Sequence, residues 1–500
     1  MERRYVEKGR LAAGGVPVLL RGFGLGGWLL PEGYMWRFYT KCDRPRRIEA
    51  LIEKLCGAEY AASFWERYYG SYITEADIRL AAQNGFNSVR LPFNARHLRE
   101  PGYLRCIDDC VRWCGKHGVY AILDMHAAPG GQTGQNIDDS ERDLPELFMR
   151  PEHRDELCAL WALLAARYRG EAAVAGFDLL NEPLIRKDAE HNGRLVPLYL
   201  RITEAVRRAD PERIVIWEGA HWATDFSVFD ALEREDLPEN LVLQFHKYWS
   251  TPDEESLGGF LGTARRLELP LYCGESGENN LDWYAAMFPL LDRLGISWSF
   301  WSYKKMATPN SVSVFPEPER WGELLDFLDG GEPPARPQEI FNDFLACIGR
   351  AEIRRDVLSA LCRRPPVRIP AEAFDGCRVS GPRGAGADFR PTSPVTIIFA
   401  DGHTGAPDFR RYGGEPQPES ERMLVKLREG DSVTYRVACS GRIRVRVSAS
   451  APGGLWADGG SGLVSLEREG GGAFVELDGK LTLTCVSGEA LLDYIEVFEL

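Results

Sequence analysis

Gly176-Phe-Asp-Leu-Leu-Asn-Glu-Pro183 is a short apolar run that ends in a polar pair and is stopped by a proline. A second run of the same form, Pro270-Leu-Tyr-Cys-Gly-Glu-Ser276, ends in Glu275. Runs of this length between turn signals fit buried strands. From about residue 16 to residue 301, similar runs alternate with amphipathic helical stretches, which is the pattern of parallel βα units.

Eight such strands are predicted, and together they indicate an α/β fold, a closed (β/α)8 TIM barrel. The predicted strands are Leu19–Gly26, Ser88–Pro92, Tyr120–His126, Gly176–Asn181, Ile214–Glu218, Leu241–His246, Leu271–Glu275 and Ser297–Trp301. Helical patterns at Trp321–Leu328 and Gln338–Leu345 would complete the outer ring. The barrel is therefore predicted to occupy residues 1–362.

A second domain is predicted after the proline-rich stretch Arg363-Arg-Pro-Pro-Val-Arg-Ile-Pro370, because paired prolines stop a helix and favour an extended connection. Residues 363–370 are therefore predicted to be a linker. Beyond them the pattern changes to short alternating segments, among them Asp431–Ala438, Arg442–Ala449 and Ala473–Leu477. Such segments predict a smaller antiparallel β-sandwich over residues 371–500.

The composition excludes several classes of protein. A chain of 500 residues with 44% hydrophobic and 27% charged residues is typical of a globular protein with two domains. A net charge of -14 argues against a nucleic-acid partner, since phosphate binding needs a concentrated basic surface. The charged N-terminus has no export signal or membrane span, and twelve cysteines lack a paired spacing. We therefore expect a cytoplasmic protein without a membrane partner, or a secreted one if the N-terminus has been trimmed.

Polar residues that are suited to catalysis accumulate at the ends of the predicted strands. They are Arg90, His126, Asn181 with Glu182, His246 with Tyr248, Glu275, and Trp301. A barrel gathers the carboxyl ends of all its strands on one face, so we expect these side chains to converge. Two carboxyl groups aimed at one point are what the cleavage of a glycosidic bond requires.

The residue types suggest a division of roles. Glu182 as the acid needs a raised pKa, whereas Glu275 must stay ionised and needs donors such as Arg90 and the Tyr248 hydroxyl. Asn181 is placed to bind a sugar 2-hydroxyl. The histidines His126 and His246 would position hydroxyls and carboxylates, and the face of Trp301 would form the floor of the site.

The ordered set resembles the retaining glycoside hydrolases of family 5, over roughly residues 16 to 345. Gly26-Gly-Trp28 and the loop Ala128-Pro-Gly130 are similar to the exo-β-1,3-glucanase branch of that family. The resemblance implies Glu182 as acid/base, Glu275 as nucleophile, and exo action on β-glucosidic linkages of glucans or oligosaccharides. An endo-β-glucanase, a β-glycosidase acting on a glycolipid or diglycoside, and a transglycosylase stay open as alternatives. A non-catalytic carbohydrate-binding protein is a remote one.

Further residues on the same loops are candidates for substrate contacts because of their position alone. They are Trp28, Glu32, Trp36, Gln132, Asn136, Trp222, Trp249 and Glu278. The terminal stretch Gly488-Glu-Ala-Leu-Leu-Asp-Tyr-Ile-Glu496 resembles the last strand of carbohydrate-binding modules of the family 6 and 35 type. The second domain either binds sugar or shields the barrel, and we expect shielding.

Two other motifs do not indicate a cofactor or a metal. Gly22, Gly24 and Gly27 fit a dinucleotide-binding pattern, but Pro31 follows where that pattern needs a helix. Three cysteines, Cys106, Cys110 and Cys114, precede His117 on one predicted helix, where a single ion could reach only two of them. We therefore expect no cofactor and no metal, and a carbohydrate as the partner.

Overall fold

The computed structural model describes residues 1–39, 41–450, 454–460, 462–466 and 473–499. A three-stranded antiparallel sheet opens the chain, formed by β1 (Tyr5–Glu7), β2 (Arg10–Ala13) and β3 (Val16–Pro17). Leu11 of this sheet joins an apolar cluster with residues at the start of five barrel strands, among them Tyr120. The sheet thus covers the amino end of the barrel.

Eight parallel strands form the predicted closed barrel, in the order β10-β11-β4-β5-β6-β7-β8-β9. The strands are β4 (Arg21–Gly24), β5 (Ser88–Asn94), β6 (Tyr120–Ala127), β7 (Val174–Asp178), β8 (Ile214–Glu218), β9 (Leu241–His246), β10 (Leu271–Gly277) and β11 (Ser297–Trp301). Every residue of β5 and β6 is buried, because helices cover a parallel sheet on its outer face and side chains fill its interior. The α/β fold predicted from the sequence is confirmed.

Three barrel strands have the predicted bounds, and the largest difference concerns the strand before Glu182. This strand, β7, ends at Asp178, so Asn181 and Glu182 lie in the turn that follows. Pro183 lacks an N–H group for the ladder, and both Glu182 and Leu184 have positive φ angles, 44° and 65°. The acid/base candidate is therefore presented by a tight turn rather than by a strand.

Helices follow the strands around the barrel. The α-helical segments are α1 (Pro45–Cys56), α2 (Ala58–Ser71), α3 (Glu75–Gln83), α4 (Pro101–His117), α5 (Glu146–Met149), α6 (Pro151–Arg167), α7 (Leu195–Ala209), α8 (Ala220–Ala223), α9 (Gly258–Leu267), α10 (Leu281–Arg293), α11 (Trp321–Leu328), α12 (Pro337–Ile348) and α13 (Arg355–Cys362). Short 3-10 turns occur at Gly33–Trp36, Ala95–His97, Arg186–Arg194, Phe226–Phe229, Arg234–Asp236, Glu255–Leu257, Ala371–Ala373 and Glu419–Glu421. The predicted helices at residues 321–328 and 338–345 are α11 and part of α12.

Beyond β11 the chain forms a small sheet and then the β-sandwich. The small sheet contains β12 (Lys304–Met306), β13 (Ser313–Phe315) and β14 (Glu352–Ile353). The sandwich contains β15 (Val367–Pro370), β16 (Gly376–Arg378), β17 (Thr396–Phe399), β18 (Met423–Arg428), β19 (Ser432–Ser450), β20 (Gly454–Gly460), β21 (Leu463–Ser465), β22 (Ala473–Ser487) and β23 (Glu489–Glu499). Its pairings are antiparallel, as predicted.

Two details of the second domain differ from the sequence prediction. The segments predicted as separate strands at residues 431–438 and 442–449 form one strand, β19, because a register shift between Arg436 and Ser440 lets the pairing with β22 continue. Within the predicted linker 363–370, Val367–Pro370 forms β15 and pairs with β23. An extended segment that ends in proline can still add to a sheet edge. The position of the domain boundary stays a prediction.

The chain divides into two compact units. The first contains Met1–Lys247, Gly259–Ser276 and Ile296–Ile353. The second contains Tyr248–Gly258, Gly277–Gly295 and Arg354–Leu500. Among the described residues, no helix combines the length and the apolar character that crossing a membrane would require. No disulfide bond joins any of the twelve cysteines, all of which lie within the described residues.

Close contact between β4 and β5 gives a test of the barrel. Gly22 pairs with Ser88, and a Cβ atom at Gly22 would lie 1.8 Å from the Ser88 carbonyl oxygen, so the two strands would have to separate. We predict that Gly22→Ala lowers the free energy of unfolding by about 3 kcal/mol or more. Gly102→Ala in α4 is the control, since a Cβ atom there meets nothing within 4 Å. Equal guanidinium midpoints for the two variants would contradict the close approach.

Candidate active site

Arg90 lies at the centre of the cluster of polar side chains inside the barrel. Its guanidinium is completely buried and every nitrogen of it contacts an acceptor. The contacts are Nε to Asp178 Oδ2 at 2.8 Å, Nη1 to Glu275 Oε1 at 2.5 Å, and Nη2 to Asn181 Oδ1 at 2.8 Å, Glu218 Oε1 at 3.2 Å and Asp124 Oδ2 at 3.2 Å. Four carboxyl groups from four different strands thus share one permanent positive charge.

Glu275 is aimed into the site by an irregularity of β10. The pairing of β10 with β9 shifts register between Cys273 and Glu275, which changes the direction of the side chain that follows. The Glu275 carbonyl accepts the Lys247 N–H at 3.1 Å, so the main chain is fixed on that side. The charge-assisted hydrogen bond from Arg90 favours the ionised carboxylate that a nucleophile needs.

Glu182 faces Glu275 across a histidine. Its Oε1 lies 2.7 Å from His246 Nδ1, and the same nitrogen lies 3.5 Å from Glu275 Oε2. One carboxylate oxygen of each glutamate and one nitrogen of His246 all lie within 4.8 Å of one another. The main-chain N–H of Glu182 donates to Glu218 Oε2 at 2.6 Å. The two predicted carboxyl groups therefore meet at one point.

The pKa values of the two histidines of the site are shifted in opposite directions. Burial alone would lower the pKa of His246. The negative charges of Glu275 and Glu218 and the hydrogen bond with Glu182 outweigh this effect and hold the pKa well above its usual range. Burial lowers the pKa of His126 to about 4. His126 Nδ1 lies 2.7 Å from Asp124 Oδ2, so the proton of the neutral ring sits on Nδ1 and Nε2 can accept.

Trp301 ends β11 and lies parallel to His126, with ring centroids 5.5 Å apart and an interplanar angle of 3°. Its indole Nε1–H donates to the Tyr34 hydroxyl at 2.9 Å. A Cβ atom at Gly24 would lie 2.5 Å from the indole, so glycine lets the ring lie against β4. The tryptophan is thus held in one orientation beside the two carboxyl groups.

Four buried polar residues of the site were missed by the sequence analysis: Asp124, Asp178, Glu218 and Gln244. Their signal is the alternation of a strand, in which every second side chain faces the same side. Asp124 stands two residues before His126, and Gln244 stands two residues before His246, so each pair points into the barrel. Gln244 Nε2 lies 2.8 Å from Asp178 Oδ2 and also donates to Glu218.

These hidden carboxyl groups have shifted pKa values. Burial raises the pKa of Asp124 to about 7, against the opposing charges of Arg90 and His246. Burial and the charge of Asp178 raise the pKa of Glu218 to about 8. Burial also raises the pKa of Asp178, although Arg90 opposes the rise. Near neutral pH, part of the negative charge around Arg90 is therefore removed by bound protons.

Three of the predicted substrate contacts are buried, and their role in substrate binding stays a prediction. Trp28 is 1% exposed, and its indole donates to the Tyr69 carbonyl. Trp36 is 2% exposed and packs on Phe344 with ring centroids 4.4 Å apart. Gln132 is fully buried: its Oε1 accepts the Ala128 N–H, and its Nε2 donates to the carbonyls of His126 and Asn181. Position on a loop did not distinguish these core residues from rim residues.

The other predicted contacts stay predictions. Glu32 is buried and Asn136 is half-buried on the loops after β4 and β6. Trp222 is 48% exposed on the loop after β8. Three residues belong to the second compact unit: Tyr248, Trp249 and Glu278. The Trp249 indole donates to the Glu278 carbonyl at 2.9 Å, and the contact predicted between Tyr248 and Glu275 stays a prediction.

Glu182, His246 and Glu275 are, within the described ranges, the one group of three His, Cys, Asp or Glu side chains close enough to share a metal ion. A metal ligand must be deprotonated. The raised pKa of His246 opposes metal binding at its nitrogens, and Arg90 already occupies Glu275 Oε1. The chemistry of this group is therefore better suited to acid–base and nucleophilic work than to metal binding.

Comparison with known proteins agrees with this geometry. Residues 53–307, half of the chain, match the family model described as Cellulase (glycosyl hydrolase family 5). The chain belongs to glycosyl hydrolase family 5. It is accordingly a glycoside hydrolase, as the paired glutamates predicted.

Several curated proteins are similar in sequence to this chain. A beta-xylosidase from Phanerodontia chrysosporium is 32% identical over 242 residues, 47% of this chain and 49% of that protein. Endoglucanase C from Acetivibrio thermocellus is 26% identical over 312 residues, 49% of this chain and 87% of that protein. A probable glucan 1,3-beta-glucosidase A from Aspergillus fumigatus is 27% identical over 239 residues, 46% of this chain and 56% of that protein. The chain spans about half the length of the first and the last.

Two of the matching solved structures have lower sequence identity. Rutinosidase from Aspergillus niger has a TM-score of 0.47 at 18% identity, covering 57% of this chain and 90% of that one. An endogalactoceramidase has a TM-score of 0.49 at 16% identity, covering 99% of this chain and 100% of that one.

Proposed function

We propose that this family 5 enzyme is a retaining, exo-acting β-glycosidase that removes terminal glucose from β-glucans or oligosaccharides. Glu182 is the acid/base and Glu275 is the nucleophile. The observation that carries the proposal is the separation of their carboxyl oxygens, within 4.8 Å of each other. Retaining enzymes hold their carboxyl groups about 5 to 5.5 Å apart, whereas inverting enzymes need about 6.5 to 9.5 Å to fit a water molecule.

In the first step, Glu275 attacks the anomeric carbon while Glu182 protonates the leaving oxygen. The bond from the anomeric carbon to the leaving group breaks as the bond to Glu275 forms, and the leaving group departs as an alcohol. Arg90 donates a hydrogen bond to Glu275 before the attack. His246 Nδ1 donates to Glu182 once that carboxyl has lost its proton, which stabilises the new carboxylate.

In the second step, a water molecule releases the sugar from Glu275. Glu182 now accepts a proton from this water, and the oxygen of the water attacks the anomeric carbon from the side that the leaving group left. Glu275 returns to its ionised form beside Arg90. Two inversions at one carbon give a product with the starting anomeric configuration.

The neighbouring groups are suited to holding a sugar. Asn181 Oδ1 accepts from Arg90 and its Nδ2 lies 3.3 Å from His126 Nε2, so the amide is fixed beside the site. From that position it can contact the 2-hydroxyl as charge develops on the ring. Trp301 offers a flat apolar face, against which the C–H face of a pyranose can pack.

Exo action is supported by the rigid loop after β6. The carboxylate of Asp138 accepts from the main-chain N–H groups of Thr133, Gly134 and Ser140, which fixes the fold of the loop. The Leu184 N–H donates to the Gln132 carbonyl at 3.2 Å, so the loop is fastened to the turn of the acid/base. A rigid wall on this side would close the site beyond one terminal sugar. The glucan 1,3-beta-glucosidase relative supports β-linked glucose as the substrate.

Trp222 is suited to contact the leaving group. His221, Trp222 and Ala223 have φ angles of 53°, 58° and 58°, a conformation that is unfavourable for three consecutive residues with side chains. The main-chain N–H of Trp222 bonds the Leu184 carbonyl at 3.4 Å, two residues after Glu182. Strain of this kind persists where the surroundings fix it, and it is frequent at functional sites. The main chain of Trp222 is thereby held two residues from the residue that protonates the leaving oxygen.

Product stereochemistry tests the mechanism. We predict that the enzyme hydrolyses aryl β-glucosides and short β-glucans to β-glucose as the first product, followed by slow mutarotation, as measured by proton NMR. Exo action on a reduced oligosaccharide predicts that glucose is the one product without the reduced end, released together with the shortened reduced chain. Unreduced fragments of two or more sugars would indicate an endo enzyme. First formation of α-glucose would rule out retention. Activity on xylosides but not glucosides would contradict the proposed sugar.

Substitution of Trp222 tests the leaving-group contact. Trp222→Ala should lower kcat/KM by about 2- to 12-fold for substrates with an aryl or sugar leaving group, since a stacked aromatic contact contributes about 0.5–1.5 kcal/mol. Methyl β-glucoside should be unaffected, because methanol offers no face to stack on. Trp222→Phe should retain most of the rate. An equal loss on all three kinds of substrate would show that Trp222 does not recognise the leaving group.

A further inference from the structure

Glu218 ends β8 and its side chain is completely buried beneath the two catalytic glutamates. Nothing in the two-step mechanism above uses it, yet its carboxyl group contacts four other groups of the site. The contacts are Oε2 with the Glu182 N–H at 2.6 Å, and Oε1 with Arg90 Nη2 at 3.2 Å, His246 Nε2 at 3.5 Å and the Gln244 amide.

We propose that Glu218 is a positioning residue for the acid/base: one carboxyl oxygen holds the main-chain N–H of Glu182, and the other faces the His246 ring that contacts the Glu182 side chain. The inference rests on the proposed function in one respect, the role of Glu182 as acid/base. Glu218 touches neither sugar nor reacting atom, and acts through these two neighbours.

The main-chain contact explains how an unfavourable turn is held. Glu182 has a φ angle of 44°, and Pro183 removes one N–H group that could have fixed the turn. A hydrogen bond of 2.6 Å to a buried carboxyl group is strong enough to fix the direction of the Glu182 main chain. Glu218 is itself anchored, since its N–H and its carbonyl both bond the buried Tyr199 hydroxyl, at 3.1 and 3.0 Å.

The contact with His246 links Glu218 to the side chain of the acid/base. His246 is placed between Glu218 on its Nε2 side and Glu182 with Glu275 on its Nδ1 side. The other charged or titratable groups near the ring are Arg90, Asp124 and His126, and Asp178 lies beside Glu218. Rotation of the ring would break its contacts on both sides at once.

The charge of Glu218 changes with pH in the direction that keeps His246 protonated. Burial and Asp178 raise the pKa of Glu218 to about 8, so its negative charge develops as the pH rises through that value. A new negative charge beside His246 strengthens the binding of the imidazole proton. His246 has a raised pKa, and its charged form is lost as the pH rises through that pKa. Without Glu218 this loss should move to lower pH.

Two substitutions separate the two contacts. Glu218→Gln keeps the shape of the side chain and removes its charge. We expect kcat to fall by about 10- to 100-fold while KM stays within threefold of the wild-type value. The alkaline limb of the pH profile of kcat/KM should move to lower pH by at least about one unit. Glu218→Asp keeps the charge but withdraws it by one methylene from the Glu182 N–H. It should lower kcat with the alkaline limb unchanged. Glu204→Gln, on the exposed side of α7, is the control and should match the wild type.

A second measurement needs no substrate. Histidine-selective NMR of the full chain, with eight histidines and the His246 signal assigned through His246→Gln, reports the ring directly. The His246 midpoint should fall by at least about one pH unit in Glu218→Gln and stay near that of the wild type in Glu218→Asp. The proposal is wrong if Glu218→Gln changes neither the His246 titration midpoint nor the alkaline limb of the pH profile. This holds both if activity is kept and if it is lost equally at every pH. A wild type that hydrolyses no β-glucoside refutes the proposed substrate, while the NMR titration still decides the role of Glu218.

Discussion

The buried guanidinium of Arg90 is the constraint on which the site depends. A charge in the interior of a barrel is unfavourable unless acceptors surround it, and Arg90 meets this requirement with acceptors from the strands or turns of β6, β7, β8 and β10. The planar fork of donors fixes the direction of each partner. The positions of Glu275, Asn181 and the buried carboxyl groups therefore depend on one side chain. Lysine could not replace Arg90, because a single ammonium group cannot donate to all of these acceptors in the same directions.

Around Arg90 the acidic groups outnumber the basic ones. Five carboxyl groups, those of Asp124, Asp178, Glu182, Glu218 and Glu275, face two cations, Arg90 and His246. Burial raises the pKa of Asp124 and of Glu218 even though each lies 3.2 Å from Arg90, while Glu275 has the shortest contact with Arg90, at 2.5 Å. Near neutral pH, Asp124 and Glu218 therefore retain protons that an ordinary carboxyl group would lose. The same arrangement couples the charge states of His246 and Glu218.

Much of this site could be predicted from the sequence, because each residue at a strand end has a place fixed by the barrel. Arg90, His126, Glu182, His246, Glu275 and Trp301 were found in this way. Glu218 was missed although it ends a predicted strand, and Asp178 was missed because the predicted strand continued past it. A buried carboxylate has no explanation until its partner, Arg90, is placed in three dimensions. The burial of Trp28 and Trp36 could not be predicted, because a sequence does not show which side of a loop faces the core. The positive φ angle of Glu182 likewise depends on its tertiary contact with Glu218.

Covalent trapping tests most directly whether Glu275, held ionised by Arg90, forms the bond to the sugar. A 2-deoxy-2-fluoro β-glycoside with an activated leaving group slows release of the sugar, and mass spectrometry after proteolysis locates the adduct. The geometry predicts one sugar per chain, attached to Glu275 in the peptide that contains residues 270–276. An adduct on Glu182 or on another residue would contradict it, as would hydrolysis of the parent glycoside with inversion and no adduct.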